Sequence, residues 1–233
     1  MVRSLTVLVT GDPVPGVERE RGPFLALIRE TLAGAWAGPL AVLDARRGEL
    51  PSPGETSALV ITGSPESVTS RAPWILAAEE RTAALVRSGV PTLGVCFGHQ
   101  LLGQALGGLV ERNPNGREIG TVELERTADD PLLDGSPAAF GANMSHSDSV
   151  TRLPPGARVL ARTRLEPNAA VRFGERAWGV QFHPEFDAGV MRGYIAARLD
   201  RLAAEGIDAG NLRATDAPEA ARVLRTFAKL AGS

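Results

Sequence analysis

The 233 residues include one cysteine, Cys96, and one lysine, Lys229. A lone cysteine excludes an internal disulfide framework and any multi-cysteine zinc or iron–sulfur site. A lone lysine leaves almost no candidate for a Schiff base or a phosphate-binding ammonium; the other basic residues are arginines in a chain rich in Ala, Gly and Arg. Neither sign of charge dominates. Twenty-five basic against 27 acidic residues give a formal charge of −2, and no basic run stands out, which excludes a polyanion binder driven by net charge and with it a nucleic-acid partner. No apolar run reaches membrane-spanning length, and the N-terminal MVRSLTVLVTGDP is broken by Thr10, Gly11 and Asp12 before it could form a signal-peptide core. No membrane association is expected, and an unpaired thiol fits a reducing cytoplasm.

What is present is ordinary globular composition, 43% hydrophobic and 22% charged, without repeats or a low-complexity linker. A chain of this length buries roughly 70–75% of its unfolded surface, so residues 1–233 are expected to form a single domain. Short apolar runs at Leu5–Thr10, Leu40–Leu43, Ala58–Thr62 and Thr92–Val95 read as strands. Between the last two, PWILAAEERTAALVRS (Pro73–Ser88) reads as a helix with Trp74, Ala77, Ala78, Arg81 and Leu85 at helical spacing, stopped by Gly89. Buried-type strands alternating with helices predict an α/β fold: a mostly parallel central sheet with helices on both faces. After Gly108, strand-like GTVELERT, ARVLART, AAVRF and AWGVQF, separated by Pro/Gly turns, predict a smaller antiparallel sheet. Residues 188–233 return to helix: Met191, Ile195, Leu199 and Leu202 form one apolar stripe, with Arg192, Arg198 and Arg201 on a solvated face. A last helix opens at Asp216 and Pro218 with Val223, Phe227 and Leu230 inward.

The most informative stretch is TLGVCFGHQLLGQALGG, Thr92–Gly108. A buried strand runs into Gly94-Val95-Cys96-Phe97-Gly98, and a helix then begins. Small residues two positions either side of a nucleophile permit the sharp strand-to-helix turn that lifts its side chain above a sheet, as in the G-x-S-x-G elbow, with Cys96 in the serine position. The helix N-terminus would also favour the thiolate. Taken alone, Cys96 reads equally as a small buried hydrophobe; the flanking glycines move it toward chemistry. A thiol nucleophile needs a base, and the base an orienting group. Of three histidines, His183 closes an alternating strand in GVQFHPEF, Gly179–Phe186. In an extended segment residues i and i+2 point the same way, so Glu185 can accept a bond from the His183 imidazole. In isolation HPE reads as well as a strand-end turn with a solvated glutamate.

GVCFGHQ followed 87 residues after Cys96 by the histidine of VQFHPE resembles the class I glutamine amidotransferases, the cysteine-type glutaminases. Two further segments match in order. ITGSPESV (Ile61–Val68) resembles the glycine-rich oxyanion loop, and NMSHSD (Asn143–Asp148) resembles the M-S-H-x-D segment of the glutaminase part of GMP synthetases, with Ser147 where that pattern has glycine. The resemblance covers about residues 5–200 and implies a flavodoxin-like class I amidotransferase fold without metal or cofactor. It implies that Cys96 attacks the glutamine side-chain amide, that His183 moves the protons and that Glu185 holds the imidazole. A glutamyl thioester at Cys96 is then hydrolysed to glutamate. The backbone N–H groups of Gly63 and Phe97 would bind the oxyanion. Gln100, one turn after Cys96, is implied as a glutamine contact, Asp148 as acceptor for its α-ammonium, and Ser145 and His146 as contributors mainly through their backbone. Asn115–Gly120, NGREIG, resembles a segment of stand-alone members near the pocket mouth.

The chain carries no P-loop and no SGG-type pyrophosphatase loop. The expectation is therefore a glutaminase releasing ammonia to a separate synthase subunit, or an independent hydrolase. A γ-glutamyl peptide hydrolase would use the same triad. A non-catalytic regulatory module of the same fold ranks below both, because Cys96, His183 and Glu185 are all present.

Overall fold

Residues 4–232 are described by a computed structural model. Five parallel strands form one half of a nine-stranded sheet: β2 (Leu40–Asp44), β1 (Leu5–Val9), β3 (Ala58–Ile61), β4 (Thr92–Val95) and β11 (Ala177–Val180), in that spatial order. β3, β4 and β11 are buried along their whole length, as runs covered on both faces must be. The sheet continues beyond β11 with antiparallel β10 (Ala170–Gly174), β9 (Arg158–Arg162), β6 (Glu118–Arg126) and β7 (Ala139–His146). The antiparallel segments expected after Gly108 therefore extend the main sheet. The separate small sheet consists of β5 (Leu109–Arg112) and β8 (Asp148–Arg152).

Helices α1 (Pro15–Arg21), α2 (Phe24–Leu32), α3 (Pro73–Arg87), α4 (Phe97–Ala105), α5 (Ala188–Ala196), α6 (Leu199–Ala204) and α7 (Pro218–Gly232) complete the fold. One core cluster joins Leu5, Val7, Ile28 and Val60 to Val223, Leu224 and Phe227 of α7, so the last helix shares the main core. A second cluster joins β3 to Ile75 and Leu85 of α3 and to Phe97 and Leu101 of α4. No described helix is long and apolar enough to cross a membrane.

Two helical stripes differ from the sequence expectation. In α3 the buried positions are Ile75, Ala78, Glu79, Thr82, Ala83 and Leu85, while Ala77 is exposed; Trp74 is half-buried and stacks on Phe97 with ring centroids 5.7 Å apart. The stripe from Met191 to Leu202 is not one helix. It breaks between α5 and α6, leaving Leu199 50% exposed while Met191 and Leu202 are buried. Arg198, expected in solvent, is half-buried with its guanidinium 4.7 Å from the Tyr194 ring centroid. A long side chain that lays its stem along an aromatic face hides area that a polar assignment leaves exposed.

Candidate active site

The sharpest backbone feature is the junction between β4 and α4. Cys96 has φ 51° and ψ −102°, and among the described residues Arg71 alone of the other non-glycines has positive φ. Holding a non-glycine there costs on the order of 1–3 kcal/mol. The surroundings enforce it: Cys96 N–H donates to Val180 O (2.8 Å) and Gly98 N–H to Thr62 O (3.2 Å), tying the turn to both flanking strands. A Cβ on Gly94 would lie 2.3 Å from Gly98 O, and one on Gly98 would lie 2.4 Å from Ile61 O. The two flanking glycines are thus a packing requirement of the turn.

His183 and Glu185 follow β11, the strand beside β4. Glu185 Oε1 accepts from His183 Nδ1 at 2.8 Å, and both residues are buried. The imidazole is sandwiched: Phe186 stacks on it with centroids 3.9 Å apart, and Phe24 lies near-parallel at 6.2 Å. Its backbone N–H donates to Asn143 O (2.8 Å), while Asn143 Nδ2 donates to Phe186 O (2.8 Å), pinning the HPEF turn to β7. Burial works against charge on His183, but Glu185 and the thiolate of Cys96 outweigh it and lift the imidazole to about 10. Burial likewise pushes the Cys96 thiol up, yet the His183 charge, reinforced by His146, leaves it below its ordinary value. The His183 charge thus favours the ionised thiol, and the thiolate in turn favours the imidazolium. Cys96 is buried, only 6% exposed.

The Gly63 loop lies against the same pair. A Cβ on Gly63 would stand 2.9 Å from His183 Cε1. The Thr62 carbonyl faces Gly98 N–H and the Thr10 hydroxyl (3.0 Å); in a trans peptide the Gly63 N–H then points the opposite way. Phe97 is the first residue of α4, so its N–H has no intrahelical acceptor. Phe97 N–H thus opens α4 next to Cys96, and the Gly63 loop packs on His183.

NMSHSD is neither loop nor single strand. Asn143–His146 end β7, Ser147 turns the chain, and Asp148 begins β8 in the small sheet. Ser145 O lies 4.0 Å from Cys96 Sγ. Asp148 is half-exposed, and its carboxylate accepts from Ser67 Oγ of the ITGSPESV segment. Both protons of the Gln100 carboxamide are committed, to Asp148 O (2.9 Å) and Gln181 Oε1 (3.0 Å), so this side chain braces α4 against the Ser145–Asp148 turn. His146 is buried, with Nδ1 2.9 Å from Asp148 O. His99 is buried against the Phe173 ring (5.3 Å), and burial first, then the His146 charge, pushes its pKa down to about 3. In NGREIG, Arg117 forms a two-pronged pair with Glu205 (2.7 and 3.0 Å), and Asn115, Arg117 and Glu118 line a cavity of about 910 Å³ that extends to Ile207 and Leu212.

Sequence reasoning missed Thr10, Glu118, Asn143, Glu166 and Gln181 as contributors to the site. Glu118, Asn143 and Gln181 stand inside the quoted segments, which was the available signal; Thr10 and Glu166 belong to none.

The family model for glutamine amidotransferase class-I matches residues 45–199. Among curated proteins, the chain is 42% identical over 147 residues to a GMP synthase [glutamine-hydrolyzing] of Aeropyrum pernix, covering 63% of this chain and 27% of that protein. It is 43% identical over 153 residues to the one of a Parafrankia species, covering 64% and 26%. The chain thus spans about a quarter of the length of these relatives. A glutamine amidotransferase of Thermotoga maritima superposes with TM-score 0.72 at 22% identity, covering 99% of each chain. A second, from Methylobacillus flagellatus, gives 0.74 at 22%, covering 100% of this chain and 94% of that one. Those two structures speak to the fold, and the matches to the family model and to the GMP synthases speak to descent. The chain belongs to the class I glutamine amidotransferase family.

Proposed function

We propose that this domain hydrolyses the side-chain amide of glutamine through a thioester at Cys96 and releases ammonia to a separate synthase subunit. The observation that carries the reading is the strained Cys96 turn facing a buried imidazole that is fixed by a 2.8 Å bond to Glu185. The thiolate attacks the amide carbon, and the oxyanion that forms lies toward the N–H groups of Gly63 and Phe97, each such donor typically contributing about 3–4 kcal/mol. His183, already protonated, gives its proton to the departing nitrogen, and ammonia leaves. The neutral imidazole next takes a proton from water as the water attacks the thioester; glutamate and the thiolate–imidazolium pair are regenerated. Asp148 and Ser145 O border the substrate's amino-acid end, and Gln100 and His146 hold that border in place. Residues 1–233 act as one domain with 188–233 packed on it, and a reducing cytoplasm suits the unpaired thiol.

Glutamate release from glutamine by the purified chain, beside Cys96→Ala, tests this directly. The variant is expected to lose roughly 10⁴-fold or more in turnover. Retention of activity within about tenfold would sink the role of Cys96.

One observation favours a second reading, a γ-glutamyl peptide hydrolase. Arg198 has no ion-pair partner among the described residues, and the Tyr194 ring on which it lies is 6.3 Å from the His183 ring. A peptide substrate carries a carboxylate beyond the γ-glutamyl bond that such a guanidinium would meet. On this reading Arg198→Gln raises KM for γ-glutamyl peptides about tenfold and leaves glutamine turnover unchanged.

A further inference from the structure

One residue beyond Ser145, whose carbonyl lies 4.0 Å from the thiol, three buried ionisable groups meet: His146 at the end of β7, Glu118 at the start of β6 and Glu166 after β9. Glu118 Oε2 lies 3.5 Å from His146 Nε2, and Glu166 Oε2 lies 3.8 Å from His146 Nδ1. Thr163 Oγ1 donates to the Glu118 carboxylate (2.7 Å), and Ser149 Oγ and Asn168 N–H donate to Glu166 Oε1 (both 2.9 Å), so neither carboxylate is free to swing away.

The ring's protonation follows from its partners. Nδ1 faces the Asp148 carbonyl, which only accepts, so Nδ1 carries a proton. Nε2 faces a carboxylate; a bare lone pair there would confront negative charge in a buried site, so Nε2 carries a proton as well. We propose that His146 is a standing imidazolium clamped between Glu118 and Glu166, and that it is a positioning residue whose charge keeps Cys96 as a thiolate before substrate arrives. This inference rests on the reading of Cys96 as the nucleophile.

The other groups facing His146 are consistent with one cation at that position. Cys96 supplies the negative charge it acts on, and His99 on α4 stays neutral because burial and the His146 charge disfavour its protonation. Burial disfavours charge on His146 too, yet Glu118, Glu166, Cys96 and the Asp148 carbonyl together raise its pKa. Glu166 is itself pushed upward by burial, against the pull of His146 and of the Ser149 and Asn168 donors. His183 then donates and accepts the reaction's protons, while His146 keeps its own throughout.

The test uses the full chain labelled with ¹⁵N-histidine, in which only three imidazoles report. At about pH 8, well above the ordinary histidine value, both ring nitrogens of His146 are expected to be protonated. A singly protonated His146 ring overturns the proposal and needs no variant that must fold. Alkylation of Cys96 by iodoacetamide, followed across pH by mass, supplies the second readout in a chain with one thiol. In Glu118→Gln and His146→Gln the midpoint should rise by up to about one pH unit, slowing alkylation up to about tenfold at pH values below the parent midpoint. An unchanged midpoint overturns the proposal even if glutamine turnover falls, because His146 would then act on binding or folding. If Cys96→Ala keeps its turnover, the parent reading fails while the ring nitrogens still decide the charge of His146.

Discussion

The two halves of the nine-stranded sheet serve the candidate site in different ways. The parallel half acts through backbone shape: the positive φ of Cys96, the N–H groups of Gly63 and Phe97, and glycines that admit close approach. The antiparallel half acts through buried charge and amide side chains, with Glu118, Asn143 and His146 on β6 and β7. The β3 and β4 edge of the parallel half is therefore expected to be sensitive to a single methyl group, whereas the His183–Glu185 pair after β11 carries buried charge like the antiparallel half. Those charged groups should respond to a change of charge at constant volume. Substitutions chosen in pairs can break that contrast.

The largest effect falls on the elbow. In Gly98→Ala the new Cβ would meet the Ile61 carbonyl at 2.4 Å, a backbone atom of β3 that cannot rotate away. Overpacking of this kind costs about 3 kcal/mol, and it spreads the β3–α4 contact that positions the proposed oxyanion donors. Denaturant unfolding should show the loss, and glutamine turnover should fall with it. A stable, active Gly98→Ala would mean that the elbow is not set by backbone contact.

Next comes charge at the base. Glu185→Gln keeps an acceptor for His183 Nδ1 but removes the negative charge, and should lower kcat/KM about 100-fold, less than Cys96→Ala. The pH profile sharpens this. The thiol is held below its ordinary value and His183 is lifted to about 10, so the ion pair occupies the pH window between the two. Activity should fall on the acid side as the thiolate takes a proton and on the alkaline side as the imidazolium loses its own near 10. Removing Glu185 should shift the alkaline limb to lower pH; an unmoved limb would show that Glu185 does not sustain that charge.

A smaller effect is expected at Gly63→Ala, where the Cβ would press His183 Cε1 at 2.9 Å. The ring is packed between Phe186 and Phe24 and bonded to Glu185, so it yields only by shifting within that sandwich. Turnover should drop about tenfold through misplacement of the base, with a smaller loss of unfolding stability than in Gly98→Ala, where backbone is met. Equal losses in stability and turnover would merge the Gly63 and Gly98 cases and weaken the assignment of Gly63 to the site.

These contrasts also explain what was legible in the sequence. β1, β3 and β4 read directly because buried parallel strands are continuous apolar runs, and the elbow read because glycine spacing records a close approach. α1 and α2 lie under a stretch dense in Pro, Gly and Glu, where turn signals mask a short helix. β7 and β8 are divided only at Ser147, so NMSHSD read as a motif while its passage between two sheets did not. Glu118 and Glu166 look like surface glutamates, because what buries them is a tertiary arrangement around His146 that no local pattern encodes.

The smallest effect tests where the charged half ends. Arg117 precedes Glu118, and its guanidinium turns to Glu205, which also meets Arg112 at 3.3 Å. Arg117→Met keeps most of the buried stem and leaves Glu205 a second cation, so the loss should be about 1 kcal/mol. In a domain of this size that lowers the melting temperature by about 2–4 °C. Because Arg117 touches neither His146 nor the thiol, kcat/KM should stay within about twofold of the parent value. A tenfold fall at unchanged melting temperature would break the comparison: the cavity side of β6 would then be coupled to Cys96 by a route other than the His146 clamp.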